Sequence, residues 1–240
     1  MSETGHARNV HHFAQMISFV QAYGVDYQPS NTALTVANLK AKLGEAQASI
    51  DVVTSALAPW KDGVNERQNA FDGIRKLVTR VVNSFAASGA PENAVDDAKA
   101  LKRKIDGARA KALPQDDKNT PADESKGGSV SQQSYTQLVE HLDNLIALLT
   151  STGTYNPNET ELQLAALNTS SASLKDANTA VMNAFTPLST SRIARDESLY
   201  ADDTGLVDLA GLVKKYVKSL YGASSPQYQQ LSSLDFSRAR

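Results

Sequence analysis

The chain has 240 residues, 41% of them hydrophobic and 21% charged, and a formal net charge of -2 at pH 7. This balance creates no global field to attract nucleic acid or an anionic membrane, so we expect neither as a partner. The absence of cysteine excludes disulfides, cysteine-bound zinc and thiol catalysis.

The N-terminal residues lack a basic start followed by an uninterrupted apolar core, and no window reaches the roughly 18 apolar residues of a membrane span. We therefore expect a soluble cytoplasmic protein with no signal peptide and no stable membrane span. Val10, Phe13, Ile17 and Val20 form an apolar stripe at helical spacing, which predicts a first helix that ends before Gly24.

Three histidines, His6, His11 and His12, cluster near the start of the chain. Adjacent residues of a helix point about 100° apart, whereas two metal ligands on one helix normally lie three or four residues apart. We therefore expect no metal site and interpret these histidines as part of a solvated helix face.

A thirteen-residue phrase occurs twice. Residues 27–39 read YQPSNTALTVANL and residues 155–167 read YNPNETELQLAAL, with six identities at an offset of 128 positions. Ordinary composition would give about one identity. We interpret each copy as the start signal of a long helix, with a polar N-cap after a proline and a tyrosine that packs the turn, rather than as an aromatic ligand platform. The residues assigned to these two turns are Tyr27, Pro29, Ser30, Tyr155, Pro157 and Asn158.

Apolar residues after the first copy recur at alternating steps of three and four, which is a heptad pattern typical of a coiled coil. The register crosses Pro59 without a slip, so we predict one long helix from Ser30 to Phe85, kinked at the proline. Two helices of ordinary length, with a break near residues 59–64, are the alternative.

The second half repeats this pattern through Pro187 and then meets ADDTG, which predicts an interruption and a new helix start at Asp203 or Thr204. Apolar stripes predict further helices around residues 95–105 and 138–149, and YQQLSSLDF predicts a short terminal one. No segment shows sustained strand alternation, so the predicted fold class is all-α.

The correspondence between the halves continues beyond the phrase. Pro59 aligns with Pro187 and Arg67 with Arg195 at the same offset, which then becomes 135. We infer a tandem duplication with repeat 1 at residues 1–112, a flexible linker at 113–130 and repeat 2 at 131–240. The predicted architecture is an elongated helical bundle in which the two repeats pack as one pseudo-twofold unit.

Arg67 and Arg195 both occupy heptad positions, and a buried arginine needs compensation by carboxylates or carbonyls. We interpret them as satisfying carbonyls freed by the prolines eight residues upstream; binding of an anion between the halves is the functional alternative. The basic run at residues 99–111 has no interleaved aromatics and is interpreted as a solvated face.

The phrases SYTQLVEHLDNLIALL, YNPNETELQLAAL, TGLVDLAGLVKKYVKSLYGASSPQYQQL and VTRVVNSFAASGAP resemble those of a family of uncharacterised bacterial helical proteins. The resemblance covers nearly the whole chain. It implies a helical architecture and, since the family has no established activity, no mechanism.

The sequence contains no phosphate-cradle, dinucleotide, zincin or nucleophile-elbow motif. No catalytic, cofactor-binding or metal-binding residue is therefore assigned, and no cofactor is expected. A heptad pattern without a catalytic constellation predicts a non-enzymatic structural or protein-interaction module that can self-associate. The alternatives are a membrane-active, pore-forming-like helical protein and a small-molecule binder or enzyme that uses a cleft between the repeats.

Overall fold

A computed structural model describes residues 3–107 and 133–238. These residues form eight α-helices and three short 3₁₀ turns, with no strand among them, which confirms the all-α class for the described part of the chain. The predicted linker at 113–130 lies outside the described residues. The helices are α1 (Glu3–Ala22), α2 (Val36–Phe71), α3 (Ile74–Ala87), α4 (Glu92–Asp106), α5 (Tyr135–Thr152), α6 (Leu164–Tyr200), α7 (Leu206–Tyr221) and α8 (Pro226–Ser232).

The chain divides into two compact units whose boundaries fall inside the two longest helices. Unit 1 comprises Met1–Lys61 and Asn183–Arg240, and unit 2 comprises Asp62–Met182. Each unit therefore contains residues from both predicted repeats. The repeat boundaries themselves stay a prediction about the origin of the chain.

Unit 1 is built around α1, which contacts α7 and α8, while α7 also contacts α8 and the 3₁₀ turn Thr32–Leu34. The helical stripe expected in α1 faces its core. The largest fully buried side chains of unit 1 are Phe13, Met16, Leu39, Leu188, Leu199 and Leu206.

Unit 2 is built around α4, which contacts both α3 and α5, and α3 in turn contacts the 3₁₀ turn Thr160–Leu162. The serine that precedes α5, Ser134, forms a capping box with Gln137, which satisfies main-chain donors at the start of that helix. The largest fully buried side chains of unit 2 are Phe85, Ile105, Leu142, Leu145, Leu149 and Leu167.

Both long helices run through their prolines. Pro59 lies inside α2 and Pro187 lies inside α6, and the chain is helical on both sides of each ring. Each proline is exposed, so its ring displaces no core side chain. The alternative of two helices that break near residues 59–64 is therefore wrong.

The long helix predicted to reach Phe85 is interrupted at Gly73. α2 ends at Phe71, and α3 begins at Ile74 after Gly73, whose φ of 84° lies in the left-handed region. Glycine adopts this conformation without steric cost because it has no Cβ. The heptad spacing continues across the break, which explains why the spacing alone did not reveal it.

The two long helices begin later than the sequence suggests. Asn31, rather than Ser30, caps the first turn by accepting a hydrogen bond from the Ala33 main-chain N at 3.0 Å. In the second copy Glu159, rather than Asn158, occupies the cap position of the 3₁₀ turn, with no side-chain cap hydrogen bond. Each 3₁₀ turn precedes the α-helix proper.

Candidate interaction surfaces

Two tyrosines hold the chain reversals that precede the long helices. The Tyr27 hydroxyl donates to the Leu34 carbonyl at 2.9 Å, and the Tyr155 hydroxyl donates to the Leu162 carbonyl at 2.9 Å. Both tyrosines are buried, and burial raises the pKa of each hydroxyl. Their rings are internal parts of the two turns and present no platform to an outside ligand.

The other residues assigned to these turns lie nearer the surface. Pro29 and Pro157 are half-buried, while Ser30 and Asn158 are exposed. The two copies of the phrase thus have the same pattern of burial around their tyrosines.

Arg67 lies in unit 2 against an aromatic ring. Its guanidinium carbon is 4.2 Å from the centroid of the Tyr135 ring, a cation–π geometry. The Arg67 Nε is buried without a hydrogen-bond partner, as is the Oδ1 of Asn178 in the same unit. The spacing of apolar residues placed Arg67 on the inner side of its helix but did not indicate Tyr135 as its neighbour.

Arg195 lies in unit 1 and is 4% exposed. Its Nε and Nη2 donate to Oδ1 of Asp196 at 2.9 and 2.8 Å. This carboxylate is compensation of the kind that a buried arginine requires. Arg67 and Arg195 therefore belong to different compact units and have different neighbours, despite their matching positions in the sequence.

The histidine cluster does not form one solvated face. His6 is 1% exposed, and its Nδ1 lies 2.8 Å from the Tyr200 hydroxyl oxygen. The expectation that His6 lies on a solvated face was wrong, because His6 lies on the side of α1 that contacts Tyr200 of α6 within unit 1. His11 is exposed, and His12 is half-buried with its Nδ1 2.6 Å from the Asp235 carbonyl oxygen.

Several large apolar side chains of unit 1 remain exposed on the long helices. Val52 on α2 is 56% exposed, and Phe185 and Ile193 on α6 are 45% and 67% exposed. The Phe185 ring meets Trp60 with a centroid separation of 6.4 Å. Single exposed apolar residues are ordinary, whereas contiguous apolar patches are typical of interaction surfaces.

Open grooves lie among the described residues of both units. The groove of unit 1 lies between α1 and α2 and has a volume of about 440 Å³; its lining residues are Ala7, Val10, His11, Ala14, Lys40, Leu43, Gly44, Gln47 and Ile50. The groove of unit 2 has a volume of about 480 Å³; its lining residues are Ala70, Asp72, Gly73, Ile74, Leu77, Leu142, Thr169, Ser170, Ser173 and Leu174.

The basic run contains local ion pairs on α4. Lys99 pairs with Asp96 at 2.9 Å and Lys102 pairs with Asp106, while residues 108–111 lie outside the described part. Throughout residues 3–107 and 133–238, no three His, Cys, Asp or Glu side chains form a group able to hold a metal ion. Nor does any helix in these ranges combine the length and apolar character needed to cross a bilayer.

We expect the buried His141 to make the stability of the protein depend on pH. The residue is 7% exposed and its Nε2 is buried without a partner. Burial is the main cause that lowers its pKa; Lys104 adds to the effect and Glu140 opposes it. Because the unfolded chain, with a histidine pKa of about 6.5, then binds a proton more readily than the folded one, stability falls as the pH drops below that value.

We expect His141→Leu to remove part of this pH dependence. Urea unfolding of the wild type and the variant between about pH 7 and about pH 5 should show a smaller loss of stability in the variant. His11→Leu, which changes an exposed histidine on α1, serves as the control and should keep the wild-type dependence. Equal pH slopes for wild type and His141→Leu would contradict the assignment.

Comparison of the chain with known proteins adds no family: no protein-family model, curated protein or solved structure matches it significantly.

Proposed function

We propose that this protein is a non-enzymatic helical module that works through its surfaces, by self-association or by binding another protein. The observation that carries the proposal is the exposure of Phe185 and Ile193 on α6. Truncation of large apolar anchors at the centre of an interface typically weakens binding most, so these two side chains are the candidates to test.

The module is proposed to have arisen by tandem duplication, as the matching phrases suggest. Supporting this, each half contains a helix, a 3₁₀ turn just before a long helix with an internal proline, and two further helices; the first half has one additional 3₁₀ turn, Gly24–Asp26. The equal hydrogen bonds from Tyr27 to Leu34 and from Tyr155 to Leu162 also support it. A duplicated module offers two related surfaces, which suits a scaffold or an interaction protein.

Sedimentation velocity from micromolar to millimolar concentration tests self-association directly. We expect the wild-type chain to form a larger species with rising concentration. The double substitution Phe185→Ser with Ile193→Ser should raise the dissociation constant at least about tenfold, equivalent to about 1.4 kcal/mol. Leu220→Ser is the matched control, since Leu220 is 40% exposed but lies on α7.

Two results would contradict self-association through α6. One is a wild-type chain that stays monomeric over the whole concentration range. The other is a double variant that associates as tightly as the wild type and the Leu220→Ser control. Circular dichroism of each variant should show unchanged helix content, because the substituted side chains contribute little to the core.

A further inference from the structure

The segment Leu234–Arg238, which follows α8, lies against α1 and α7 of unit 1 in an irregular conformation. Asn9 on α1 binds both main-chain groups of Ser237. Its Oδ1 accepts from the Ser237 N at 3.2 Å, and its Nδ2 donates to the Ser237 O at 2.8 Å. A single amide side chain thus binds the N–H and the C=O of one residue, as a neighbouring strand would.

Two further main-chain groups of this docked segment are held in the same manner. The Nδ1 of His12 lies 2.6 Å from the Asp235 carbonyl oxygen, and because a carbonyl only accepts, this nitrogen carries the proton. The Nζ of Lys214 on α7 donates to the Leu234 carbonyl. Four main-chain groups are therefore bound by side chains of α1 and α7.

The amide of Asn9 is oriented by residues outside the docked segment. Asn9 is completely buried, and its Nδ2 also donates to the Tyr200 hydroxyl at 3.2 Å. The same hydroxyl lies 2.8 Å from the Nδ1 of His6. Because His6 on α1 and Tyr200 on α6 hold the Asn9 amide in place, the amide is already oriented to hydrogen-bond a main chain.

Alternate side chains of the docked segment contact the protein. Leu234 is 8% exposed, and the Phe236 ring lies 6.0 Å from the His12 ring and 5.2 Å from the Lys214 Nζ. Arg238 donates hydrogen bonds to two carboxylates. One is Asp202 in the α6–α7 connection, at 3.3 Å, and the other is Asp208 on α7. These three side chains stand at alternate positions, the spacing that places side chains on one face of an extended peptide. Between them, the Arg8 Nη2 donates to the Ser237 Oγ at 3.5 Å.

We propose that this groove is a docking site for an extended segment of a partner protein with apolar, aromatic and basic side chains at alternate positions, and that residues 234–238 occupy it in the absence of that partner. The four main-chain contacts do not depend on the side chains of the docked segment, so another extended peptide can form the same hydrogen bonds. Selectivity then rests on the aromatic contact and on the two carboxylates, which complement a basic side chain.

Because residues 234–238 already occupy the groove, a partner must bind with enough affinity to displace them. A covalently attached segment has an effective concentration in the millimolar range, so a free peptide must compete with it. Weakening the attached segment should therefore strengthen the binding of a free one. This exchange is the property that distinguishes a docking site from ordinary intramolecular packing.

Fluorescence anisotropy with a labelled peptide, Ser-Leu-Asp-Phe-Ser-Arg, tests the proposal on the full chain. This peptide copies residues 233–238. The double variant Phe236→Ala with Arg238→Ala should bind it at least about tenfold more tightly than the wild type does. Adding Asp208→Asn, which removes one partner of the basic side chain, should weaken that binding again, and binding should weaken as salt rises.

The peptide itself provides controls that leave the protein unchanged. Replacing its Phe by Ala should weaken binding to the double variant at least about tenfold, and a scrambled peptide of equal composition should not compete. Undetectable binding to the double variant, or equal binding of the Phe and Ala peptides, would overturn the proposal. The site is separate from Phe185 and Ile193, so this experiment and the sedimentation experiment can fail independently.

Discussion

Gly205→Ala is expected to lower the free energy of unfolding by about 3 kcal/mol, the upper end of the usual cost of overpacking. Gly205 is buried immediately before α7. A Cβ at this position would lie 2.6 Å from the Ala201 O, 2.7 Å from the Ala201 N and 2.9 Å from the Tyr200 carbonyl carbon. All three are main-chain atoms, so no side-chain rotation can relieve the contact.

The cause is lack of space, since the φ of Gly205 is -69° and suits any residue. The Gly205 N donates to the Ala201 O at 2.8 Å, and this hydrogen bond closes the turn between α6 and α7. Moving the chain to admit a methyl group would disturb that hydrogen bond and the start of α7. Leu206, the first residue of α7, is fully buried in the core of unit 1, so the displacement would reach the core.

Gly211→Ala is the matched control. Gly211 lies within α7, and a Cβ there meets no heavy atom within 4 Å. Helix propensity alone then predicts a gain of about 1 kcal/mol. For a chain of this size each kcal/mol moves Tm by about 2–4 °C, so thermal unfolding should shift the two variants in opposite directions. Shifts of the same sign and size would contradict the account of Gly205.

The helices with one strongly apolar face could be predicted well from the sequence. The stripe from Val10 to Val20 lies in α1, and the segments around residues 95–105 and 138–149 lie in α4 and α5. In these segments the sequence period and the buried face coincide, because one side of each helix meets the core. The interruption at ADDTG was also confirmed, although α7 begins at Leu206 rather than at Asp203 or Thr204.

Helix ends that depend on a single backbone conformation were predicted less well. Gly73 ends α2 through a positive φ while the apolar spacing continues into α3, so periodicity gave no sign of it. The Asp-Gly pair at residues 72 and 73 was the available signal, since this dipeptide often marks a turn. Pro59, a stronger formal helix breaker, nonetheless lies inside α2 at an exposed position.

The candidate sites depended on contacts between distant parts of the chain, which no local pattern encodes. Nothing around Asn9 indicates that it binds Ser237, and nothing around Arg67 indicates Tyr135. His6 was misjudged for the same reason, since its burial depends on Tyr200. The interpretation that Arg67 and Arg195 satisfy carbonyls freed by the upstream prolines stays a prediction. The Arg195 guanidinium does donate to the Asp196 carboxylate, which is a partner of the kind that a buried cation requires.

The division into units likewise depends on long-range pairing. Unit 1 joins α1 to α7 and α8, and unit 2 joins α3 and α4 to α5, so each unit draws helices from both predicted repeats. Each unit therefore combines helices that precede the predicted linker with helices that follow it. Neither half of the chain contains the complete core of either unit, so we expect neither half to fold into a unit without the other.

Cleavage within residues 113–130 should leave the protein as one particle. A specific protease site placed there, in the full chain, would give two pieces that each carry helices of both units. Because each unit has a core shared between the pieces, they should stay together under native conditions and separate only in urea. The same protein, carrying the inserted site but left uncut, is the control for any effect of the insertion itself.

Size-exclusion chromatography with light scattering after complete cleavage is the most direct measurement. The account predicts that both pieces elute together with the molar mass of the uncut chain and with unchanged helix content. Two pieces that separate in native buffer, each still helical and each unfolding cooperatively, would show that the halves are independent domains and would contradict it.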